Sequence, residues 1–177
     1  MKRLLGVLAV CLILGLSGHA FAGTAAGDNT VVGSVAYSNI NSDLEVDHVD
    51  VSVWSVTGQL AVGRFVTDQI QLEVAAEGMW GGMEDGSIYM VGLTLRPNFH
   101  FATQSATVPY IGAAVGGLFY DFVEESDTIF VYGAQVGLKQ FIRENAFLQM
   151  EGRWRRFEIE SEDIDLFQIF VGFGLKI

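Results

Sequence analysis

Glu73, Glu77, Arg96, Lys139, Glu151, Arg153 and Arg155 stand where an alternating chain would turn all of their side chains to one side. Carboxylates and basic groups gathered in this way can neutralise one another as a paired network. They can also line a polar path for ions. Unpaired charges are costly to bury, so the first is the expectation: a structural plug rather than a gated path. A second concentration of acids lies in "DFVEESD" (121–127) and "EIESEDID" (158–165). Hard cations such as Ca²⁺ take several oxygen ligands, and Glu124, Glu125, Asp127, Glu160, Glu162 and Asp163 are the metal-ligating candidates. No stretch has the spacing of an EF-hand loop, so a solvated acidic surface is the plainer reading. Catalysis finds little support. Beyond the first residues the histidines are His48, among acids with no His-x-Ser pattern, and His100, beside "ATQSAT". No phosphate-cradling loop, zinc spacing or haem motif is present. No catalytic residue, cofactor or enzymatic activity is expected.

The elements that position these charges alternate with period two. In "QIQLEVAAEGMW" (69–80), Ile70, Leu72, Val74, Ala76 and Trp80 share one face, and Gln69, Gln71, Glu73, Ala75 and Glu77 share the other. The same rhythm gives strands at about 30–40, 51–65, 69–80, 87–101, 108–120, 129–142, 146–158 and 165–177. Each is long enough to cross a bilayer as a tilted strand. The connections "VTDQ", "ATQSAT" and "RENA" are short. The others, "NSDLEVDHVD", "GGMEDG", "DFVEESDT" and "IESEDID", are mostly longer and acidic. Short periplasmic turns alternating with longer external loops are the outer-membrane pattern. The chain is hydrophobic on average, yet no segment after the first residues is an unbroken apolar run of membrane-helix length. The fold class expected is all-β: an eight-stranded antiparallel up-and-down transmembrane barrel with periplasmic termini.

Nearest the external end, each apolar face carries an aromatic residue: Tyr37, Trp54, Trp80, Tyr89, Phe119, Phe130, Trp154 and Phe167. Aromatic rings favour the headgroup level, so these form the expected girdle. The opposite phase holds Gln, Glu, Thr, Arg and Lys among small residues. An eight-stranded barrel is just wide enough to be filled by side chains, and glycines make room for the long ones.

"MKRLLGVLAVCLILGLSGHAFA" has Lys2 and Arg3, an apolar run from Leu4 to Leu16, and the small-x-small site Ala20-Phe21-Ala22. This reads as a cleaved secretory signal peptide over 1–22, leaving a barrel domain over 23–177. Cys11, the single cysteine, leaves with it, so the mature chain forms no disulfide. Loss of Lys2 and Arg3 takes the formal charge from −11 to −13. Such a field disfavours nucleic acid.

Three stretches resemble the small outer-membrane barrels of the OmpA/OmpX type, which include the opacity-protein and Ail-like adhesins. "VPYIGAAVGG" (108–117) resembles their Pro-Tyr-x-Gly-x-x-x-Gly strand. "FLQMEGRWRRFEI" (147–159) resembles their seventh strand. "FVGFGLKI" (170–177) resembles their C-terminal assembly signal, here Gly172, Leu175 and Ile177. It departs in ending on Ile rather than Phe or Trp, and in carrying Phe170 where a polar residue is common. The resemblance implies insertion by the outer-membrane assembly machinery, with outer-membrane lipid and lipopolysaccharide as surroundings. It implies no single activity. A structural or surface-interaction role is the expectation, with a cationic partner or divalent cations at the acidic loops. The alternative is a narrow channel or transporter for small solutes or hydrophobic molecules, as in the similar OmpW group. A soluble lipocalin-like barrel would reverse the two faces.

Overall fold

The computed structural model describes residues 23–44, 49–83, 86–122, 125–159 and 162–177. Eight strands follow one another: β1 (Asn29–Leu44), β2 (Val49–Phe65), β3 (Ile70–Met83), β4 (Gly86–His100), β5 (Thr107–Phe122), β6 (Glu125–Arg143), β7 (Ala146–Ile159) and β8 (Glu162–Lys176). Each pairs antiparallel with the next, and β8 pairs with β1, closing the barrel. Closure removes free sheet edges, which is what lets a β-structure cross lipid.

Register puts like with like. Val31, Val62, Val74, Leu95 and Val115 succeed one another as cross-strand partners through β1–β5. All but Val31 are more than a third exposed. β-Branched and aliphatic side chains pack well against such neighbours on a pleated surface. The inward rows pair large groups with glycine. Gly137 lies between Tyr110 and Glu151, and Gly133 beside Arg155. A Cβ on Gly137 would fall 2.3 Å from the Tyr110 ring, and one on Gly174 would fall 2.3 Å from the Phe147 ring. These glycines are space for aromatic rings as much as for long polar groups.

The strands run further at the end away from the termini than the alternation suggested. At that end the described strands stop at Leu44, Met83, Phe122 and Ile159 and resume at Val49, Gly86, Glu125 and Glu162. Most of the acidic tracts expected to be loops are therefore strand. The reason is backbone hydrogen bonding: each hairpin keeps its ladder beyond the apolar band, as in Phe122↔Glu125 and Ile159↔Glu162. At the other end the turns are short, and the first described residues and Ile177 lie there. Asn29 and Ile177 are joined by backbone hydrogen bonds in both directions, of 3.4 and 2.9 Å.

Candidate functional site

The interior has three layers. Nearest the termini, Val32, Ala61, Ala75, Val108, Phe141 and Phe147 form an apolar cluster. Phe65, His100 and Tyr110 adjoin it, with His100 packed 4.8 Å from the Phe65 ring and 5.1 Å from that of Tyr110. At the other end Leu118, Ile129, Val131, Phe157 and Leu166 form a second apolar cluster, with Met90 against it. The charges lie between.

Glu77 on β3 is the centre of that middle layer. Its Oε1 lies 3.3 Å from Arg96 Nη2 and 3.2 Å from Arg153 Nη1; its Oε2 lies 2.5 Å from Arg155 Nη1. The Thr94 hydroxyl donates to the same Oε1 at 2.9 Å. Arg96 also pairs with Glu73 at 3.2 Å. Arg153 donates from Nε to Glu151 at 3.0 Å and pairs with it again through Nη2. The Tyr110 hydroxyl donates to Glu151 Oε2 at 2.6 Å. Gln59 Oε1 accepts from Arg96 at 2.8 Å and Arg153 at 3.0 Å. Arg155 donates to Gln168, which donates to Thr57 at 2.8 Å. Six of the seven charges thus form one network, all with side chains at most 2 % exposed. Buried charges survive in such a place only when paired and hydrogen-bonded, and here strands on opposite sides of the barrel supply the partners.

Lys139 stands apart. Its ammonium donates to Gln71 Oε1 at 2.7 Å and lies 5.5, 5.3 and 5.4 Å from the ring centroids of Phe65, Tyr110 and Phe147. Aromatic faces stabilise a cation at such distances, more strongly when it is desolvated. Arg153 also stacks on Phe170, 4.3 Å from the ring centroid, which gives that departure from the C-terminal pattern a packing role.

The lumen is therefore not polar throughout, as the alternation suggested. The inward rings of Phe65, Tyr110, Phe141, Phe147 and Phe157 join that of Phe170, which already stands in the polar phase of the C-terminal stretch. Their signal was present: Phe147 is in phase with Gln149 and Glu151, Tyr110 with Gly112 and Ala114. An aromatic residue in the polar phase is a lumen residue, whatever its hydropathy.

On the outside, the eight aromatic residues expected to form a girdle all point away from the lumen, from the half-buried Trp54 to Tyr37 and Phe167, each 62 % exposed. Trp54, Trp80, Tyr89 and, separately, Phe130, Tyr132 and Trp154 pack as two groups of rings. Leu175 and Ile177, expected to belong to an assembly signal, face outward, and Gly172 sits inward against Ser34. Glu124 and Glu160 lie outside the described residues, as do the side chains of Glu125, Asp127, Glu162 and Asp163 and the residues 1–22. Among the described residues no group of three or more His, Cys, Asp or Glu could hold a metal ion. His48 also lies outside them, and His100 is walled in by rings.

No known protein family matches the chain by its sequence, and no curated protein does. Solved structures do. The outer membrane protein OprG from Pseudomonas aeruginosa is similar with a TM-score of 0.62 at 17 % identity, over 88 % of this chain and 98 % of that one. The N-terminal β-barrel domain of Pseudomonas aeruginosa OprF is similar at 0.58 and 14 %, over 88 % and 99 %. Neisserial surface protein A is similar at 0.58 and 14 %, over 86 % and 97 %. The fold is that of the small outer-membrane β-barrels. With an apolar outer wall and charges buried inside, it sits in the outer membrane with that wall against lipid. At these identities the likeness fixes the fold and leaves the activity open.

Proposed function

We propose that the protein is a closed barrel serving the envelope through its wall and outer surface, in a structural or surface-interaction role, and not a conduit or an enzyme. One observation carries this reading: each charge in the layer around Glu77 has an ion-pair partner, several of them across the barrel, and the layer lies between two clusters of apolar side chains. An ion crossing it would have to break several buried pairs and pass two clusters of apolar side chains. The rings and aliphatic residues inside give the runner-up, a narrow path for small hydrophobic molecules, some of the lining it needs. Against it, those groups pack on one another as two clusters. The signal peptide over 1–22 and delivery by the assembly machinery through Gly172, Leu175 and Ile177 belong to the same reading.

Planar-bilayer recording tests it. The wild-type barrel is expected to show no defined conductance. A stable, charge-selective conductance that Glu77→Gln alters would overturn the closed-barrel reading.

A further inference from the structure

Phe65 ends β2 and His100 ends β4, and both turn inward. At an open mouth the last inward residues would be wet, yet these are 1 % and 0 % exposed. The segment 23–28 lies across that end. It leaves β1 beside β2, where Gly27 N donates to the Phe65 carbonyl at 2.8 Å and Phe65 N donates to that of Asp28 at 2.9 Å. It turns at Gly27, whose φ of 93° favours glycine. In the β2–β3 turn, Asp68 Oδ1 accepts from Ala26 N at 2.8 Å, and the Asp68 carbonyl accepts from the Thr24 hydroxyl at 3.1 Å. Thr24 N donates to the Thr103 carbonyl, in the β4–β5 turn, at 2.8 Å. Gly23 is reached from the other side as well, because Lys176 on β8 donates to its carbonyl at 3.1 Å. In this closed ring of eight strands β8 stands opposite β4, so a segment end held from both lies over the mouth and not along its rim. Thr24 is buried there, while its neighbours Ala25 and Ala26 are exposed.

The strap is held by weaker means than the ladders beneath it. Its bonds to Asp68 Oδ1 and Asp28 Oδ2 are exposed, and those made by the Thr24 hydroxyl and Lys176 are half-buried. Lys176 also pairs with Asp28 at 3.4 Å, with both side chains about a quarter exposed. Exposed pairs contribute little, and segments held by exposed hydrogen bonds open far more readily than the whole fold. Behind the strap lies the apolar cluster with Val108, Phe141 and Phe147, and beside it Lys139 among its rings.

We propose that residues 23–28 are a hinged seal on the periplasmic mouth. Lifted about Gly27, the seal admits small water-soluble molecules from the periplasm to the ring-lined end of the lumen around Lys139, which ends blind at the Glu77 layer. The proposal rests on the closed-barrel reading above and on cleavage after Ala22, and it gives that barrel a regulated entrance on one side only.

Thiol labelling of the mature barrel in nanodiscs tests it. Val108 and Leu118 both lie on β5, inward and buried, one in each apolar cluster on either side of the charged layer. Residues 23–177 contain no cysteine, so Val108→Cys and Leu118→Cys each present a single thiol to a water-soluble methanethiosulfonate. Each is made in the intact barrel, in a barrel lacking 23–26, and in Asp68→Ala, an exposed turn position that leaves the chain length unchanged. Heat-modifiable gel migration checks that each is folded. Removing the strap should speed modification of Val108→Cys about tenfold or more, because several hydrogen bonds no longer hold the mouth shut. Asp68→Ala, which removes one of those bonds, should speed it about threefold, and this variant decides alone if the deletion does not fold. Leu118→Cys should react at one slow rate in all three. An unchanged rate at Val108→Cys would overturn the seal, and so would an equal rise at both thiols, which marks a barrel loosened throughout. Those results leave the barrel's closure to ions standing, whereas conductance of the intact barrel in planar bilayers sinks that closure whatever the thiols do.

Discussion

Leu72 and Glu73 are neighbours on β3, yet one is 45 % exposed and the other 2 %. In a water-soluble sheet that contrast would be inverted. Here the leucine meets hydrocarbon, and the carboxylate sits in the barrel on Arg96. The inner wall is thus the place where partners matter, because a charge left alone there is stranded. The outer wall is the place where partners scarcely matter but polarity does, because lipid offers no hydrogen bonds. Each wall is vulnerable to a different kind of change.

The largest effect should come from the inner wall. Glu77→Ala leaves three guanidiniums without their shared carboxylate, and removing one side of a buried pair costs about 3–5 kcal/mol. Urea titration of the barrel folded in lipid vesicles measures it. A loss below 1 kcal/mol, on the scale of an exposed pair, would break the contrast between the two walls. Next is Leu93→Arg, which places a charge on the lipid face where Leu93 is 56 % exposed. There the expected loss is about 2–4 kcal/mol in the same titration, shrinking when the barrel is held in a detergent micelle. A third change tests the inner wall by volume alone. Gly137→Val drives a side chain into the Tyr110 ring and should cost about 1–3 kcal/mol, whereas valine at Gly33, an outward position with open space around it, should be tolerated in an otherwise identical refolding assay.

The smallest effect sharpens the comparison from inside the lumen. Lys139 is held by rings and Gln71, not by a carboxylate. Lys139→Met keeps the volume and swaps a desolvated charge for an apolar group. Replacements of that kind are often neutral or stabilising, so the midpoint should move by less than about 1.5 kcal/mol in either direction. A loss as large as that of Glu77→Ala would mean that Lys139 belongs to the ionic network.

Much of the barrel was legible because membrane strands carry a strict period-two code, and the strand ends near the termini fall close to where alternation put them. The code failed in two places for physical reasons. At the external end it faded because both faces of a strand above the bilayer meet water. Nothing then forces apolar residues to one side, so hairpins such as Phe122↔Glu125 read as loops. Inside, it located Glu73, Glu77, Arg96, Glu151, Arg153 and Arg155 but not how they are shared, since Arg153 reaches Glu77 across the barrel. It also hid the inward rings, because hydropathy cannot tell Phe147 in the lumen from Leu148 in lipid; only phase can.

The inversion of the two walls is tested most directly by electron paramagnetic resonance on spin labels placed singly at Leu72, Leu93 and Ala114 in nanodiscs. Labels at 72 and 93 should be relaxed strongly by oxygen and hardly at all by a water-soluble nickel chelate, while a label at the inward Ala114 should be shielded from both. Ready access of the nickel chelate to 72 and 93 would show those faces in water, and the account would be wrong.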